Sequence, residues 1–283
     1  MIFLSPAKLN LVLRIKGSDP RDNYHFIESV FDPVSLYDVL DVEITQGRKI
    51  TVVDYFKKLK VPQEKNIVYK AVKLLAKKSG FVSGVKVTLY KHIPNGAGLG
   101  GGSSNAATVI KALNQLLGLK LTEPEMARIG YSCGADVPFF IYAKPAFVSG
   151  KGEKISKYDR KNVFWYVVVV HKDIRITTKD AYGWYDHKIN LTNDKSYTNI
   201  MYGYKKGVYA FLYNDFESVI YGRYPVLKNV RDFLLKTDCV DASLSGSGSA
   251  VYAMFDTRKA ALEGYKKAVK VWKGSFVGLA HSI

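Results

Sequence analysis

Five glycines lie within residues 96–102, directly before a segment whose apolar residues recur at helical spacing. The N-terminus of a helix presents unpaired N–H groups and the positive end of the helix dipole. Glycines before it remove the Cβ atoms that would keep an anion away from the backbone. The pattern therefore predicts a phosphate-binding loop, with Ser103 and Ser104 as helix caps and as hydroxyl donors to a phosphate or its metal ion. A tight turn alone would need only one or two of these glycines.

Two well-known phosphate loops fit this segment less well. The P-loop pattern requires lysine after its second glycine, and Gly102 follows Gly101 in this chain. Gly96, Gly98 and Gly101 satisfy the dinucleotide fingerprint GxGxxG. That fingerprint also needs an acidic residue about 20 positions further on, at the end of a second strand. The candidates Glu123 and Glu125 fall at a predicted helix N-terminus, so the dinucleotide interpretation takes second place.

Three polar residues elsewhere could take part in proton or phosphate chemistry. Asp136, in "GADVP", suits a general base, and from the residues alone it suits a helix cap equally well. Lys8 could keep such a carboxylate ionised, although a lysine on a strand is more often solvated. Asn10 lies two residues after Lys8 and so shares its strand face. A second glycine turn, at Gly246 and Gly248, is either a further phosphate contact or a plain hairpin turn.

Three separated segments carry a family resemblance when they are taken in order. They are "PAKLNLVL" from Pro6, "PNGAGLGGGSSNAA" from Pro94 and "SLSGSGSAVYAMF" from Ser243. In this order they resemble the three signature segments of the GHMP small-molecule kinases. "DNYHFIES", "GADVPFFI" and "NDFE" make the chain most similar to the subgroup whose acceptor is 4-diphosphocytidyl-2-C-methyl-D-erythritol, in the non-mevalonate isoprenoid pathway. That subgroup usually has glycine where this chain has Asn23, and asparagine tolerates positive φ well.

The resemblance implies an α+β, two-domain fold. The N-terminal domain would resemble the second domain of ribosomal protein S5, the C-terminal domain would be ferredoxin-like, and the active site would lie between them. We expect the domains to span residues 1–155 and 156–283, because the lysine-rich segment 151–161 is the best candidate boundary. The implied reaction is transfer of the γ-phosphate of ATP to the 2-hydroxyl of the cytidyl alcohol.

The resemblance also assigns roles to residues of this chain. Asp136 becomes the catalytic base, Lys8 its partner, and Asn10 a ligand of the substrate hydroxyls. Tyr24 and His25 would recognise cytosine by stacking and hydrogen bonding. Tyr182 would supply a second aromatic ring, with Trp184, Tyr185 and simple core packing as competing interpretations.

The resemblance implies that the triphosphate binds along one continuous loop, chiefly through backbone N–H groups. The ATP-binding residues would be Pro94, Asn95, Gly96, Ala97, Gly98, Leu99, Gly100, Gly101, Gly102, Ser103 and Ser104. Gly246 and Gly248 would close the site from the other domain. Mg²⁺ is expected with ATP, and Ser103 or Ser104 could coordinate it, but the sequence identifies no firm protein ligand.

The elements that must position these residues can be outlined from periodicity. We predict helices near residues 63–78, 106–117, 226–236 and 258–272, and another that Thr122 and Glu125 open with a capping box. Strands are expected from Leu9, Tyr24, Asp38, Gly84 and Val163, and residues 182–213 are expected to be irregular.

Composition restricts the class of protein. The chain has 283 residues and a net charge of +17, which fits polyanionic substrates or a lysine-rich solvated surface. No arginine-rich arm or ribonucleoprotein motif favours nucleic acid. Its two isolated cysteines fit a reducing cytoplasm, and its N-terminus does not resemble a signal peptide. We expect a cytoplasmic monomer or homodimer with no nucleic-acid or membrane partner.

Three alternatives to the cytidyl-substrate kinase remain. One is the same fold with homoserine, mevalonate or a sugar as acceptor. Another is a non-catalytic nucleotide-binding or RNA-binding module, which the basic charge would allow. The last is a dinucleotide-dependent oxidoreductase, which would require NAD(H) binding.

Overall fold

The computed structural model describes residues 1–57, 61–189 and 211–283. Within these ranges, seven strands form a first sheet in the order β3-β4-β2-β1-β8, and β5 pairs with both β2 and β6. The strands are β1 (Ile2–Ser18), β2 (His25–Thr45), β3 (Ile50–Asp54), β4 (Gly84–Tyr90), β5 (Ala146–Gly150), β6 (Lys154–Lys157) and β8 (Tyr213–Asn214). The intervening strand, β7, belongs to a second sheet.

The strand β2 is longer than the sequence suggests. We expected one strand over residues 24–34 and another from Asp38, and the structure has a single strand of 21 residues that continues through Pro33 and through the expected break. On the side away from β1, β2 pairs with β5 over Ile27–Phe31 and with β4 over Val39–Thr45. Pro33 falls in the gap between these partners, where a missing N–H interrupts no long ladder.

Four helices follow along the first part of the chain: α1 (Ile67–Ser79), α2 (Gly101–Leu116), α3 (Glu123–Tyr131) and α4 (Val137–Tyr142). Their apolar faces and the sheet share one buried cluster. The α1 helix begins where the Asn66 side chain accepts a hydrogen bond from the N–H of Val68 at 2.9 Å. The predicted capping box of Thr122 and Glu125 is confirmed at the start of α3.

A second, four-stranded sheet has the order β11-β7-β10-β9 among the described residues. Its strands are β7 (Trp165–Val170), β9 (Asp241–Leu244), β10 (Ala250–Phe255) and β11 (Phe276–His281). The remaining helices are α5 (Thr178–Ile189), α6 (Glu217–Arg223), α7 (Pro225–Leu234) and α8 (Arg258–Val271).

The expectation of irregular structure from residue 182 is wrong up to residue 189, which is helical. Thr177 begins this helix, because its Oγ1 accepts a hydrogen bond from the N–H of Asp180 at 3.1 Å. Ala181 and Tyr185 are then buried one turn apart. Burial of this aromatic face stabilises a helix that local propensity alone does not indicate. The rest of that segment, residues 190–210, lies outside the described residues.

Another buried cluster lies between the two sheets. Its members include Leu9 from β1, Tyr166 from β7 and Tyr252 from β10. The Tyr252 hydroxyl donates a 2.7 Å hydrogen bond to the backbone carbonyl of Asn10. The two sheets are therefore fixed to each other next to β1. The predicted domain boundary after residue 155 falls inside β6 (Lys154–Lys157), and the exact limits 1–155 and 156–283 stay a prediction. In the described ranges, no helix is both long and apolar enough to span a bilayer.

A buried ion pair also connects the two sheets. Asp32 on β2 is fully buried, and its carboxylate accepts hydrogen bonds from the Arg160 guanidinium and, at 2.6 Å, from the Tyr166 hydroxyl of β7. Arg160 also donates to the backbone carbonyl of Ile283 at 3.2 Å. Burial raises the pKa of Asp32 to about 6, against the opposing effects of Arg160 and Tyr166. The native state therefore binds more protons than the unfolded chain between the ordinary pKa of 3.8 and about 6, and this group's contribution to stability falls as the pH rises through that interval.

Replacing Arg160 with methionine should lower the free energy of unfolding by about 3–5 kcal/mol at pH 8, because it leaves the Asp32 carboxylate buried without its cation. The loss should be smaller at pH 5, where Asp32 without its cation binds a proton more readily. Denaturant unfolding at both pH values measures this. Lys266→Met, which breaks an exposed pair with Glu263, is the control and should change stability by about 0.5 kcal/mol or less. An equal loss at the two pH values would contradict the charge argument.

Candidate active site

A cavity of 450 Å³ lies where the two sheets meet, at the mouth of α2. Most of the residues predicted to form the site line it. They are Lys8, Asn10, the loop residues 94–103, Asp136, Tyr182 and Gly246. Residues from distant parts of the sequence therefore converge on one cavity. Tyr24, His25, Ser104 and Gly248 were predicted with them and are not among its lining residues.

The glycine loop connects β4 to α2 and ends at Gly100, which occupies the N-cap position with a φ of 70°. A Cβ on Gly100 would lie 2.7 Å from the Phe140 ring. A Cβ on Gly98, whose φ is 78°, would lie 2.0 Å from the carbonyl oxygen of Ser245. Both positions therefore require glycine for conformation and for space. The loop backbone and the first N–H groups of α2 are left facing the cavity, as an anion site requires.

The prediction that Ser103 and Ser104 cap α2 is wrong. Gly100 is the N-cap residue, no side chain caps the helix, and both serines lie inside its first turn. The Ser103 side chain is partly exposed and lines the cavity. Ser104 is fully buried, and its hydroxyl accepts a 2.8 Å hydrogen bond from Ser5. Of these two serines, only Ser103 can offer its hydroxyl to a ligand in the cavity.

Lys8 and Asp136 face each other across the cavity. The Lys8 ammonium lies 4.0 Å from the Asp136 carboxylate, and it also donates to the Asn10 side-chain oxygen. Lys8 is 4% exposed and Asp136 is 34% exposed. Burial lowers the pKa of Lys8, and the Asp136 charge opposes that effect. A buried cation beside a solvent-accessible carboxylate is an arrangement that suits proton removal from an alcohol.

The sequence also allowed Asp136 to be only the cap of a helix, and its hydrogen bonds test that interpretation. Asp136 does occupy the N-cap position of α4, but its side chain makes no capping hydrogen bond. Among the described residues, the ion pair with Lys8 is the only direct polar contact of its carboxylate. The carboxylate can therefore accept a hydrogen bond from a ligand.

Asn10 is fixed by its neighbours on β1 and β2. Its side-chain N–H donates to the Ser29 hydroxyl at 3.0 Å, and the Ser29 hydroxyl donates to the Val12 carbonyl. Its side-chain oxygen accepts from Lys8. Asn10 thus orients the Lys8 ammonium, and its own group lines the cavity beside that ammonium.

The aromatic residues predicted to recognise a base form a group at the edge of the cavity. The His25 ring stacks on Tyr182 with centroids 4.1 Å apart, and His25 Nε2 lies 2.7 Å from the Asp186 carboxylate. Burial raises the pKa of Tyr182, so its hydroxyl stays protonated. Tyr24 is 60% exposed and lines a neighbouring cavity of 320 Å³ with Lys70 and Lys151.

The three aromatic residues of α5 lie in different surroundings. Tyr182 lines the main cavity. Trp184 lies under the Arg223 guanidinium, 4.6 Å from it, and near Tyr224. Tyr185 is buried against Phe216. Tyr182 is therefore the aromatic side chain of this helix that a ligand in the main cavity can contact.

The second glycine turn, between β9 and β10, reaches the first. The Ser245 hydroxyl donates to the Gly98 carbonyl at 3.0 Å, and the N–H of Ala250 donates to the Ala97 carbonyl at 3.1 Å. Gly246 lines the cavity, whereas a Cβ on Gly248 would approach Leu244 at 3.2 Å. Gly246 can therefore contact a ligand, and Gly248 belongs to the packing behind it.

Several residues of the site were not predicted from the sequence, among them Thr178 and Ser247, which line the cavity, and Asn214 and Asp186, which support its walls. The Asn214 side chain donates to the carbonyls of Leu244 and Gly246 at 2.7 and 2.8 Å and so supports the second turn. The "NDFE" stretch pointed to Asn214 without assigning it a role. Asp186 lies 161 positions from His25, and no local pattern could have paired them.

Residues 1–57, 61–189 and 211–283 contain no cluster of three or more His, Cys, Asp or Glu side chains that could hold a metal ion. Among the described cavity-lining side chains, Asp136 is the one carboxylate, and Ser103, Thr178 and Ser247 offer hydroxyl oxygens that Mg²⁺ could take as ligands. This sparse donor set suits a metal ion that arrives with phosphate oxygens and water as its main ligands.

Comparison with known protein families agrees with this architecture. Residues 66–144 match the family described as "GHMP kinases N terminal domain", and residues 205–274 match "GHMP kinases C terminal". The chain belongs to the GHMP kinases. The predicted two-domain α+β fold of that family is confirmed.

Individual relatives have a more specific name. A protein of Geobacter sp. (strain M21), named 4-diphosphocytidyl-2-C-methyl-D-erythritol kinase, is 39% identical over 92% of this chain and 91% of its own length. A protein of Clostridioides difficile (strain 630) with the same name is 34% identical over 96% and 93%. A crystal structure of 4-(cytidine 5'-diphospho)-2C-methyl-D-erythritol kinase has a TM-score of 0.80 and 29% identity, covering 99% of both chains. The predicted resemblance to this subgroup is therefore confirmed.

The same fold also occurs in a solved structure with much lower sequence identity. The crystal structure of homoserine kinase from Cytophaga hutchinsonii has a TM-score of 0.73 at 19% identity, and it covers 100% of this chain and 93% of its own. The architecture is thus shared with a kinase of another name, and the fold alone does not identify the acceptor.

Proposed function

We propose that the chain transfers the γ-phosphate of ATP to the 2-hydroxyl of 4-diphosphocytidyl-2-C-methyl-D-erythritol. The observation that carries the proposal is the Lys8–Asp136 pair, which faces the same cavity as the glycine loop. Relatives that bear the name of this kinase match nearly the whole chain, and they support this acceptor over the other alcohols.

Asp136 is the group that removes the proton of the acceptor hydroxyl. Its carboxylate accepts the hydroxyl hydrogen bond and orients the oxygen toward the γ-phosphorus. It takes the proton as the new P–O bond forms and the bond from the γ-phosphorus to the bridging oxygen of ADP breaks. The Lys8 ammonium, 4.0 Å away, stabilises the developing negative charge on that oxygen. The Asn10 side-chain oxygen holds the Lys8 ammonium in place. Asn10 also lines the cavity, and its amide is a ligand for the neighbouring hydroxyls of the alcohol.

The loop residues 94–103 bind the triphosphate through backbone N–H groups. Phosphoryl transfer depends mostly on positioning and on neutralising charge, which a rigid ring of N–H donors at a helix N-terminus supplies. The net charge of +17 adds a long-range attraction for two anionic substrates. Mg²⁺ bound with ATP would neutralise phosphate charge, and the Ser103 hydroxyl, at the start of α2, is one cavity-lining group that could join its ligands.

The cytosine base is recognised at the aromatic edge of the cavity. Tyr182 and Tyr24 offer faces for stacking, and the His25 imidazole, oriented by Asp186, offers a hydrogen-bonding group.

We also propose the domain limits 1–155 and 156–283. The expectation of a cytoplasmic monomer or homodimer stays a prediction.

Tyr182→Ala is expected to raise KM for the cytidyl alcohol by roughly tenfold, because base–aromatic stacking contributes about 1–3 kcal/mol per base. KM for ATP should stay within about twofold of wild type. Tyr182→Phe keeps the ring and should restore the wild-type KM. Trp184→Ala removes an aromatic side chain of the same helix that does not line the cavity, and it serves as the matched control. Equal effects of the Tyr182 and Trp184 variants would refute a specific base contact.

The function itself is tested by a coupled assay of ADP release with a panel of alcohols. Turnover is expected with the cytidyl alcohol, and product analysis should place the new phosphate on the 2-hydroxyl. Turnover with homoserine, mevalonate or a sugar, and none with the cytidyl alcohol, would replace this acceptor within the same family. Absence of ADP release with every alcohol would favour a non-catalytic nucleotide-binding protein.

A further inference from the structure

Behind the glycine loop lies a buried polar network that does not line the main cavity. It consists of Ser5 on β1, Asp38 on β2, Lys91 after β4, and Ser104 and Asn105 on α2. Each of these side chains is 2% exposed or less. Burying charged and polar groups costs free energy unless their hydrogen bonds are made. The hydrogen bonds within the network must therefore offset the cost of burying these groups.

The hydrogen bonds of the network join the two ends of the loop. At the start of the loop, one oxygen of the Asp38 carboxylate accepts from the N–H groups of His92 and Ile93 at 2.7 and 2.8 Å. The other oxygen forms an ion pair with Lys91 and accepts from the Asn105 side-chain N–H at 3.0 Å. A single carboxylate thus binds the residues just before the loop and the first turn of the helix just after it.

The side-chain amide of Asn105 forms hydrogen bonds through both its oxygen and its N–H group. Its oxygen accepts from the Lys91 ammonium at 2.8 Å, and its N–H group also donates to the Ser5 hydroxyl at 2.9 Å. The Ser5 hydroxyl then donates to Ser104 at 2.8 Å. The first turn of α2 is therefore attached to β1 and β2 by directional bonds, in addition to its apolar packing.

The two anchored ends of the glycine loop lie next to each other. A Cβ on Gly101 would lie 3.0 Å from the Ile93 side chain and 3.4 Å from the Lys91 ammonium, so the two ends touch. Glycine-rich backbone has the greatest conformational freedom of any sequence. A loop of this composition keeps one anion-binding shape only if its ends are held at a fixed separation and orientation.

We propose that Lys91, Asp38 and Asn105 are positioning residues that fix the shape of the phosphate-binding loop. They act through the backbone of His92, Ile93 and the first turn of α2. This inference rests on the proposed binding of the ATP phosphates at the loop. It adds that residues away from the main cavity set the affinity and reactivity of the bound nucleotide.

The test uses full-length protein and compares Lys91→Met with Arg160→Met. Both variants remove the cation of a buried carboxylate, so a comparable loss of stability is expected. None of the partners of Arg160 lines the main cavity, so its variant is a matched control for general destabilisation. Ser5→Ala removes only one hydroxyl of the network and is included as a milder variant that is expected to fold.

The first measurement is amide hydrogen exchange of residues 92–104 without any ligand. Lys91→Met should accelerate it by roughly tenfold or more relative to Arg160→Met, since hydrogen bonds to charged groups contribute more than neutral ones. Ser5→Ala removes the bonds to Asn105 and Ser104 and should accelerate it by about fivefold or more, since one ordinary hydrogen bond contributes about 1 kcal/mol. This measurement does not depend on the acceptor, so it stands even if the cytidyl alcohol proves not to be the substrate.

The second measurement is steady-state kinetics. Lys91→Met should lower kcat/KM for ATP by roughly tenfold or more and leave KM for the alcohol within about twofold, whereas Arg160→Met should leave both near wild type. Loop exchange that is equal in the Lys91 and Arg160 variants would overturn the proposal. A weaker kcat/KM for ATP with unchanged exchange would mean that Lys91 contacts the nucleotide directly, and this would overturn it too. If Lys91→Met does not fold, an unchanged loop in Ser5→Ala is the refuting result.

Discussion

Replacing Asp136 with asparagine is expected to lower kcat by roughly 10²-fold or more, because a general base contributes about 10²–10⁴-fold to such reactions. The amide keeps the volume of the side chain but cannot take the proton of the acceptor hydroxyl. The affinity for ATP should change little, since the loop residues 94–103 bind the triphosphate. Steady-state kinetics measures kcat, and titration with a non-hydrolysable ATP analogue measures the nucleotide affinity separately.

The geometry makes this substitution informative. Asp136 makes no capping hydrogen bond, and the ion pair with Lys8 is its one direct polar contact in the described part of the chain, so asparagine removes little structure. Asp232→Asn, which alters a surface carboxylate paired with Lys228, is the control. A kcat above half of the wild-type value would exclude Asp136 as the base. A loss of ATP affinity as large as the loss of kcat would instead make it a binding residue.

Short motifs identified the cavity because each carries its chemistry locally. The glycines of residues 96–102, the Lys8–Asn10 pair and Asp136 each lie on a short segment with a distinctive composition. The helix α1 and the capping box at Thr122 were also predictable, since caps and periodicity are properties of neighbouring residues. Once the family resemblance fixed the order of these segments, their convergence on one cavity followed.

Contacts between distant residues could not be predicted in this way. The pairing of Asp32 with Arg160, of His25 with Asp186 and of Asp38 with Lys91 depends on strand register and on how the two sheets pack. Each pair joins residues at least 53 positions apart, and any of the chain's 42 basic residues could have been a partner of Asp32 or Asp38. Burial selects among them, and burial is a property of the folded chain.

The capping error at Ser103 and Ser104 has a related physical cause. Serine is a favoured N-cap, and no local pattern favours Gly100 over it. The structure places Phe140 and the Lys8 side chain against Gly100, with a Cβ at that position 2.7 Å and 3.1 Å away from them. Tertiary packing therefore requires glycine at the N-cap position, and the first residues of α2, Gly101 to Ser103, line the cavity.

Gly98→Ala should reduce kcat/KM for ATP by roughly 10²-fold, because a displacement of about 1 Å in a positioning element can cost that much. The added Cβ would lie 2.0 Å from the carbonyl oxygen of Ser245, and the φ of 78° is unfavourable for alanine. Backbone atoms cannot yield as the end of a side chain can. The two glycine turns must therefore separate, and both the triphosphate site and Gly246 move.

Gly80→Ala separates backbone strain from this crowding. Gly80 follows α1 with a φ of 75°, and a Cβ on it would meet nothing within 4 Å, so alanine there has the same conformational cost without a clash. Both variants should lose roughly 1–3 kcal/mol from the strained residue, measured by denaturant unfolding. Only Gly98→Ala should also lose activity at a temperature where both are folded. If the two variants retain equal activity, contact between the glycine turns does not shape the nucleotide site.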